Sequence, residues 1–426
     1  MNVKTFNLVL LIVILAFSVT SCGTSQTTSI QKDDLDLVLQ STIEAINTQT
    51  VQVSAESTDR SGNITPELSQ VVFPQKVGPD TYPQGVNPLT GLHETSLDLL
   101  SLPPALISIS NFPPSARKVQ GGLGTAAQVY EVFIGEGMTR FLAVFYGAYP
   151  DPNVLPPAQN MTVVRPTRIG PIRSGRTAYE SIRAHLNGFL VMASADINVR
   201  AQLSGTTNIF GSDSNDINSA MIDVSQLIDI AGEAEKPVTT ELLSGNLFSD
   251  VVPSEGVPAN KLWVFYNALD QVLWEYQPDL RGYYRYQDNA DESGKYTLAM
   301  DAFTGQPLLY ENVIVLFAEH EFKKPTQINI KLDFITQGKA LLFRDGLMFK
   351  IYWTTRSGEF EQTTGLVRPI RYTNYYNEAF PLKPGQTWIH LVDINHRYWE
   401  ADPARPFEAL AGSTFWSVRF YDSSKK

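Results

Sequence analysis

A single cysteine, Cys22, occurs in the 426 residues, so no disulfide can form within the chain and no cysteine-rich metal centre can be built. Beyond the leader, no apolar run approaches the roughly twenty residues that a membrane-crossing helix needs. Basic residues are outnumbered 33 to 44, and no Lys/Arg-rich run occurs, which excludes the electrostatic footprint of a nucleic-acid binder. The five histidines (His93, His185, His320, His390 and His396) form neither His-Glu-x-x-His nor a helical pair four apart, so no metal site is expected. The loop from Asp213 to Asn218 has oxygen ligands but lacks the spacing and distal Glu of a calcium loop. Gly121-Gly122-Leu123-Gly124 is too short for a dinucleotide fingerprint, and no cofactor is expected. Nucleophile motifs are equally poor. There is no Gly-x-Ser-x-Gly elbow, and Ser115-Ala116-Arg117-Lys118 has Ser-x-x-Lys spacing but follows Pro113-Pro114 and lacks a Lys-Thr-Gly partner.

What is present begins with targeting. Lys4 precedes an unbroken apolar run from Leu8 to Phe17, the length of a signal-peptide core, and the small residues of Val19-Thr20-Ser21 lead into Cys22-Gly23. That arrangement predicts a lipoprotein signal peptide over 1–21 and lipid modification at Cys22, placing the folded part outside the cytoplasm on a cell membrane. One acyl chain holds only marginally, so stable attachment requires the two or three chains of a modified cysteine.

Residues 22–85 are rich in Ser, Thr, Gln and Asp and read as a flexible tether. Asn87-Pro88-Leu89-Thr90-Gly91 marks the start of the body. In an N-terminal domain over 86–245, strands are expected at Ala105 to Ile109, Arg140 to Tyr146 and Phe189 to Ala193, with a helix from about Thr177 to Leu186. Ala126 to Ile134 is apolar enough for either helix or strand. Residues 246–426 carry many short strands separated by turn residues such as Arg344-Asp345-Gly346. The fold class expected is α+β: an N-terminal α/β domain with a mixed sheet, then a smaller β-rich domain, barrel-like or a curved sheet.

Several motifs in order carry a resemblance. Asn87-Pro88-Leu89-Thr90-Gly91, Gly121-Gly122-Leu123, Glu136-Gly137-Met138-Thr139-Arg140-Phe141, Ile169-Gly170-Pro171-Ile172-Arg173-Ser174-Gly175-Arg176 and, later, Gly385-Gln386-Thr387-Trp388-Ile389 make the chain similar to the YerB-like lipoproteins over roughly 86 to 420. The resemblance implies a lipid anchor, an N-terminal α/β domain and a β-rich C-terminal domain. It implies no activity, because that family is of unknown function.

The candidate ligand site is charged. Arg117, in the stretch Asn111 to Gln120 that shares the resemblance, and Arg140, Arg173 and Arg176 sit beside Glu131, in Val129-Tyr130-Glu131, and Glu136, and planar guanidinium groups suit bidentate binding of carboxylate or phosphate. Gly170-Pro171 and Gly175 should set Arg173 on a tight loop entering a helix, whose first amides also favour an anion. The competing reading pairs these arginines with Glu131 and Glu136 as structural ion pairs. Two functions follow: a non-enzymatic envelope module binding an anionic or glycan-bearing partner, either cell-wall material or another envelope protein, and, as the alternative, a cell-wall hydrolase or transferase. The second would use Glu131 or Glu136 as acid/base with Arg173 or Arg176 orienting the substrate. Tyrosines such as Tyr283, Tyr284, Tyr375 and Tyr376 are expected mainly in the core of a β-rich domain, with platforms for sugar rings as the alternative; if the consecutive pairs lie on strands, one of each faces outward.

Overall fold

In a computed structural model, residues 76–150, 167–233, 238–324 and 327–420 are described. Cys22, the leader and most of the expected tether lie outside them. From Val77 onward the backbone is already paired with the body, exchanging hydrogen bonds with Phe248, and the described residues form one compact unit.

Two large sheets organise that unit. The central one has eleven strands, ordered Arg371–Thr373, Leu347–Thr354, Gly338–Arg344, Asn312–Ala318, Thr387–Asp393, Gln128–Gly135, Met138–Phe145, Ala105–Ser110, Phe189–Met192 and Thr206–Asn208, with Val257–Pro258 paired beside the Leu347 strand. The Thr387 strand runs parallel to both of its neighbours, so strands from either side of residue 245 share one sheet. The segment Ala126 to Ile134 resolves as strand, because it hairpins with Met138–Phe145 and borders Thr387–Asp393.

The second sheet has eight strands and is built from Lys261–Asn267, Asp270–Gln277, Gly282–Asp288, Tyr296–Leu298, Phe415–Arg419, Arg397–Asp402 and Arg405–Ala409, with Leu309–Tyr310 at its side. Of the two expected shapes for the β-rich half, the barrel is corrected. In each sheet the outermost strands do not pair with one another, and no closed barrel forms among the described residues. The mixed α+β class holds, with four α-helices among the described residues.

Period-two alternation sorts the core into two layers. Val129, Phe133, Phe141, Ala143, Trp388 and Val392 point to one face of the central sheet and pack with Val264, Trp274, Tyr283 and Tyr310. Tyr130, Val132, Leu142, Val144, Ile389 and Leu391 point to the other and pack with Tyr179, Ile182 and Leu186 of the helix Ala178–Leu186. Burial on both faces explains why Gln128–Gly135 is buried throughout instead of alternating with solvent.

Candidate functional site

The segment that follows Gly170 is held by its backbone. Ile172 is fully buried and bridges Ile109; the Arg173 amide donates to the Ser108 carbonyl, and the Gly175 amide to that of Ser194. The chain thereby crosses the ends of the Ala105 and Phe189 strands before entering the helix Ala178–Leu186. Arg173 and Arg176 emerge there, half-buried, as the Gly/Pro spacing predicts.

Arg140 reaches the same place from the neighbouring strand, where it pairs with Ser110. Its Nη1 donates to the Ser174 carbonyl at 2.7 Å, and Arg176 Nη1 approaches the same oxygen at 3.5 Å. The Ser108 hydroxyl also donates to that carbonyl and lies 3.4 Å from the Tyr179 hydroxyl. Arg173 is tied sideways, to the Ile217 carbonyl and to Asn218 Oδ1 at 2.9 Å. Arg140 is only 8% exposed. The Nε atoms of Arg140 and Arg176 are both buried and have no hydrogen-bond partner among the described residues. Burial pushes the Arg140 guanidinium down to about 9, and repulsion from Arg176 and Arg173 adds to the fall. No ion pair among the described residues includes any of these three arginines; Asp216 offers Arg173 a more distant attraction.

Glu131 is elsewhere. It is fully buried between the two sheets, and its carboxylate is saturated: Oε1 accepts from the Thr139 hydroxyl at 2.9 Å, and Oε2 from Trp388 Nε1 at 3.0 Å and Arg285 Nη2 at 3.3 Å. Arg285 lies over the rings of Trp388 and Phe141, at 4.6 and 5.0 Å. Behind them sits His390, directly paired with Glu131 in register. Trp274 Nε1 can only donate, and it does so to His390 Nε2 at 2.8 Å, so the ring carries its proton on Nδ1, facing Tyr266 Oη at 3.1 Å and Glu131 Oε2 at 3.3 Å. Burial lowers His390 to about 4. Asp270, buried close by, accepts from the Thr139 amide and from Gln287, and burial followed by the Glu131 charge raises it well above the usual carboxylate range.

The remaining expected residues separate from the trio. Arg117 binds the Asn111 carbonyl and side chain and the Asp288 carbonyl, and with Arg285 and Gln287 it lines a cavity of about 490 Å³ walled by Leu298 and Met300. The two arginines of that cavity already have anionic neighbours, Asp270 and Asp288 near Arg117 and Glu131 beside Arg285. Glu136 is exposed on the hairpin tip, where it and Gly137 both take positive φ, as a two-residue hairpin turn demands. Glu131 and Glu136, the alternative acid/base candidates, therefore share no cleft, and among the described residues Glu131 pairs with Arg285 instead of with Arg140, Arg173 or Arg176.

Residues 89–225 match the N-terminal domain, and residues 262–389 the C-terminal domain, of a protein of unknown function (DUF3048). The chain belongs to the DUF3048 family. The three clustered arginines and Glu131 fall in the matched N-terminal domain, Arg285 and Trp388 in the C-terminal one. The chain is 23% identical over 337 residues to the candidate lipoprotein YerB of Bacillus subtilis (strain 168), covering 74% of this chain and 88% of that protein. The crystal structure of YerB from Bacillus subtilis shares the fold, with a TM-score of 0.54 at 21% identity over 72% of this chain and 97% of that one.

Proposed function

We propose that this DUF3048 protein is a lipid-anchored envelope module, displayed on the extracytoplasmic face of the membrane, that binds an anionic group of a cell-wall or envelope-protein partner at Arg140, Arg173 and Arg176. The observation that carries the reading is the convergence of Arg140 and Arg176 on one carbonyl oxygen, with a buried Nε of each left unpaired. A like-charged cluster in partial burial is costly without a counter-ion, and a phosphate or carboxylate would supply both the charge and the acceptors. The first amides of the nine-residue helix Ala178–Leu186 follow directly and add a favourable dipole. The likeness to a candidate lipoprotein supports the anchored location.

Retention on isolated cell wall tests it. Wild-type protein should be retained and released by added phosphate, whereas Arg173→Ala and Arg176→Ala should pass through while keeping the wild-type circular dichroism spectrum. Failure of the wild type to be retained, or retention of both variants, refutes the reading.

A further inference from the structure

A second concavity lies away from the arginines, on the rim of the central sheet. It has a volume of about 430 Å³ and is lined by Tyr352, Tyr375, Tyr376 and Tyr398 together with Lys339 and Lys350. Tyr375 and Tyr376 are 68% and 77% exposed, far more than large aromatic side chains normally are. They sit on a turn, not a strand, so both face outward, unlike Tyr283 and Tyr284, of which only the second reaches the surface.

The turn that carries the exposed pair is nevertheless fixed through its backbone. Asn374 Oδ1 accepts from the Tyr376 amide at 2.9 Å and the Glu378 amide at 3.0 Å, while Gln337 Nε2 donates to the Tyr375 carbonyl and to Asn377 Oδ1. Tyr375 meets Tyr352 edge-on at 6.0 Å, and Tyr376 meets Tyr375 edge-on at 5.5 Å, so the rings present differently oriented faces along one groove. Rings held this way lose little freedom when a ligand stacks on them.

Charge narrows the ligand. Lys350 stands over the Tyr398 ring at 6.0 Å, and neither lysine takes part in an ion pair among the described residues. Glu255 lines the groove too, leaving the cations in excess. We infer that this groove binds an acidic oligosaccharide, its sugar faces stacking on Tyr375 and Tyr376 and its carboxylate or other anionic substituents meeting Lys339 and Lys350. Aromatic faces supply flat apolar contact for the C–H side of a pyranose, and flexible ammonium groups tolerate a charge whose position varies along a polymer. The site is independent of the arginine cluster.

The test is calorimetric titration of the folded protein with a hyaluronan hexasaccharide, alternating uronic acid and N-acetylglucosamine, against the neutral N-acetylglucosamine hexamer. The acidic hexamer should bind, with the neutral one roughly tenfold weaker, and binding should weaken with salt. Tyr376→Ala should reduce affinity roughly tenfold and Lys350→Ala roughly fivefold, both at exposed positions where the fold is not at stake. Arg173→Ala should leave the titration unchanged, which separates this site from the anion site above. Absence of binding by the acidic hexamer, equal binding of the neutral one, or wild-type affinity in either groove variant overturns the inference.

Discussion

Glu131 and Arg140 lie on paired neighbouring strands yet face opposite sides of the central sheet, because the residue across from Arg140 is Val132 and the one across from Glu131 is Phe141. A one-residue offset sends the carboxylate into the layer between the sheets and the guanidinium toward the helix Ala178–Leu186. Each charge was thereby given different company: Glu131 has a cation, and Arg140 has two more cations.

Removing them should have opposite consequences for stability. Glu131→Ala strands Arg285 in the core without a counter-charge and should cost about 3–5 kcal/mol. Arg140→Met removes a buried charge that lacks one, and its urea midpoint should equal or exceed that of the wild type. A large loss in Arg140→Met would mean that the cluster holds the fold together.

Phosphate should raise the thermal midpoint of the wild type at low ionic strength. At a hundredfold excess over the dissociation constant the gain is about 2.7 kcal/mol, or a few degrees for a protein of this size. Differential scanning fluorimetry of Arg140→Met should show no phosphate-dependent shift.

His390 makes acid stability predictable in sign. Its folded value of about 4 lies below the ordinary 6.5, so the unfolded chain binds the extra proton first, and the stabilisation present above pH 6.5 is lost as pH falls toward 4. Asp270, raised by burial, slopes the other way. Comparing wild type with His390→Asn, where Asp270 is common to both, isolates the histidine: the wild type should lose up to about 3 kcal/mol relative to the variant across that window. Parallel denaturation curves at pH 4.5 and 7 would refute the assignment.

Cys22→Ala should move the protein from the membrane fraction to the soluble fraction, or leave its leader uncleaved. Fractionation followed by mass determination of the N-terminus distinguishes both outcomes from continued attachment.

Local signals were readable from the chain alone. Ala105 to Ile109, Arg140 to Tyr146 and Thr177 to Leu186 emerge close to where periodicity and turn residues put them. The loop carrying Arg173 and Arg176 was marked by Gly170, Pro171 and Gly175. The partners of Glu131 were not readable, since Arg285 and Trp388 are 154 and 257 residues away in the chain and reach it only through sheet pairing. A weaker sign was available: Glu131 interrupts Val129-Tyr130-Glu131-Val132-Phe133, Arg285 interrupts Tyr283-Tyr284-Arg285-Tyr286, and His390 interrupts Trp388-Ile389-His390-Leu391-Val392. A titratable residue inside an apolar strand needs a buried partner, and three such strands can satisfy one another. Tyr375 and Tyr376 illustrate the converse, because alternation speaks only for residues on strands.

The placement of Thr387–Asp393 between Asn312–Ala318 and Gln128–Gly135 has a kinetic consequence. The middle of the sheet cannot close until nearly the whole chain is present. Pairings this distant in sequence make for slow folding, with the Gln128 strand exposing a bare hydrogen-bonding edge in the interval. A newly made chain would then be vulnerable to proteases and to its own copies until the Thr387–Asp393 strand is available, and fragments ending before Thr387 should aggregate when expressed alone.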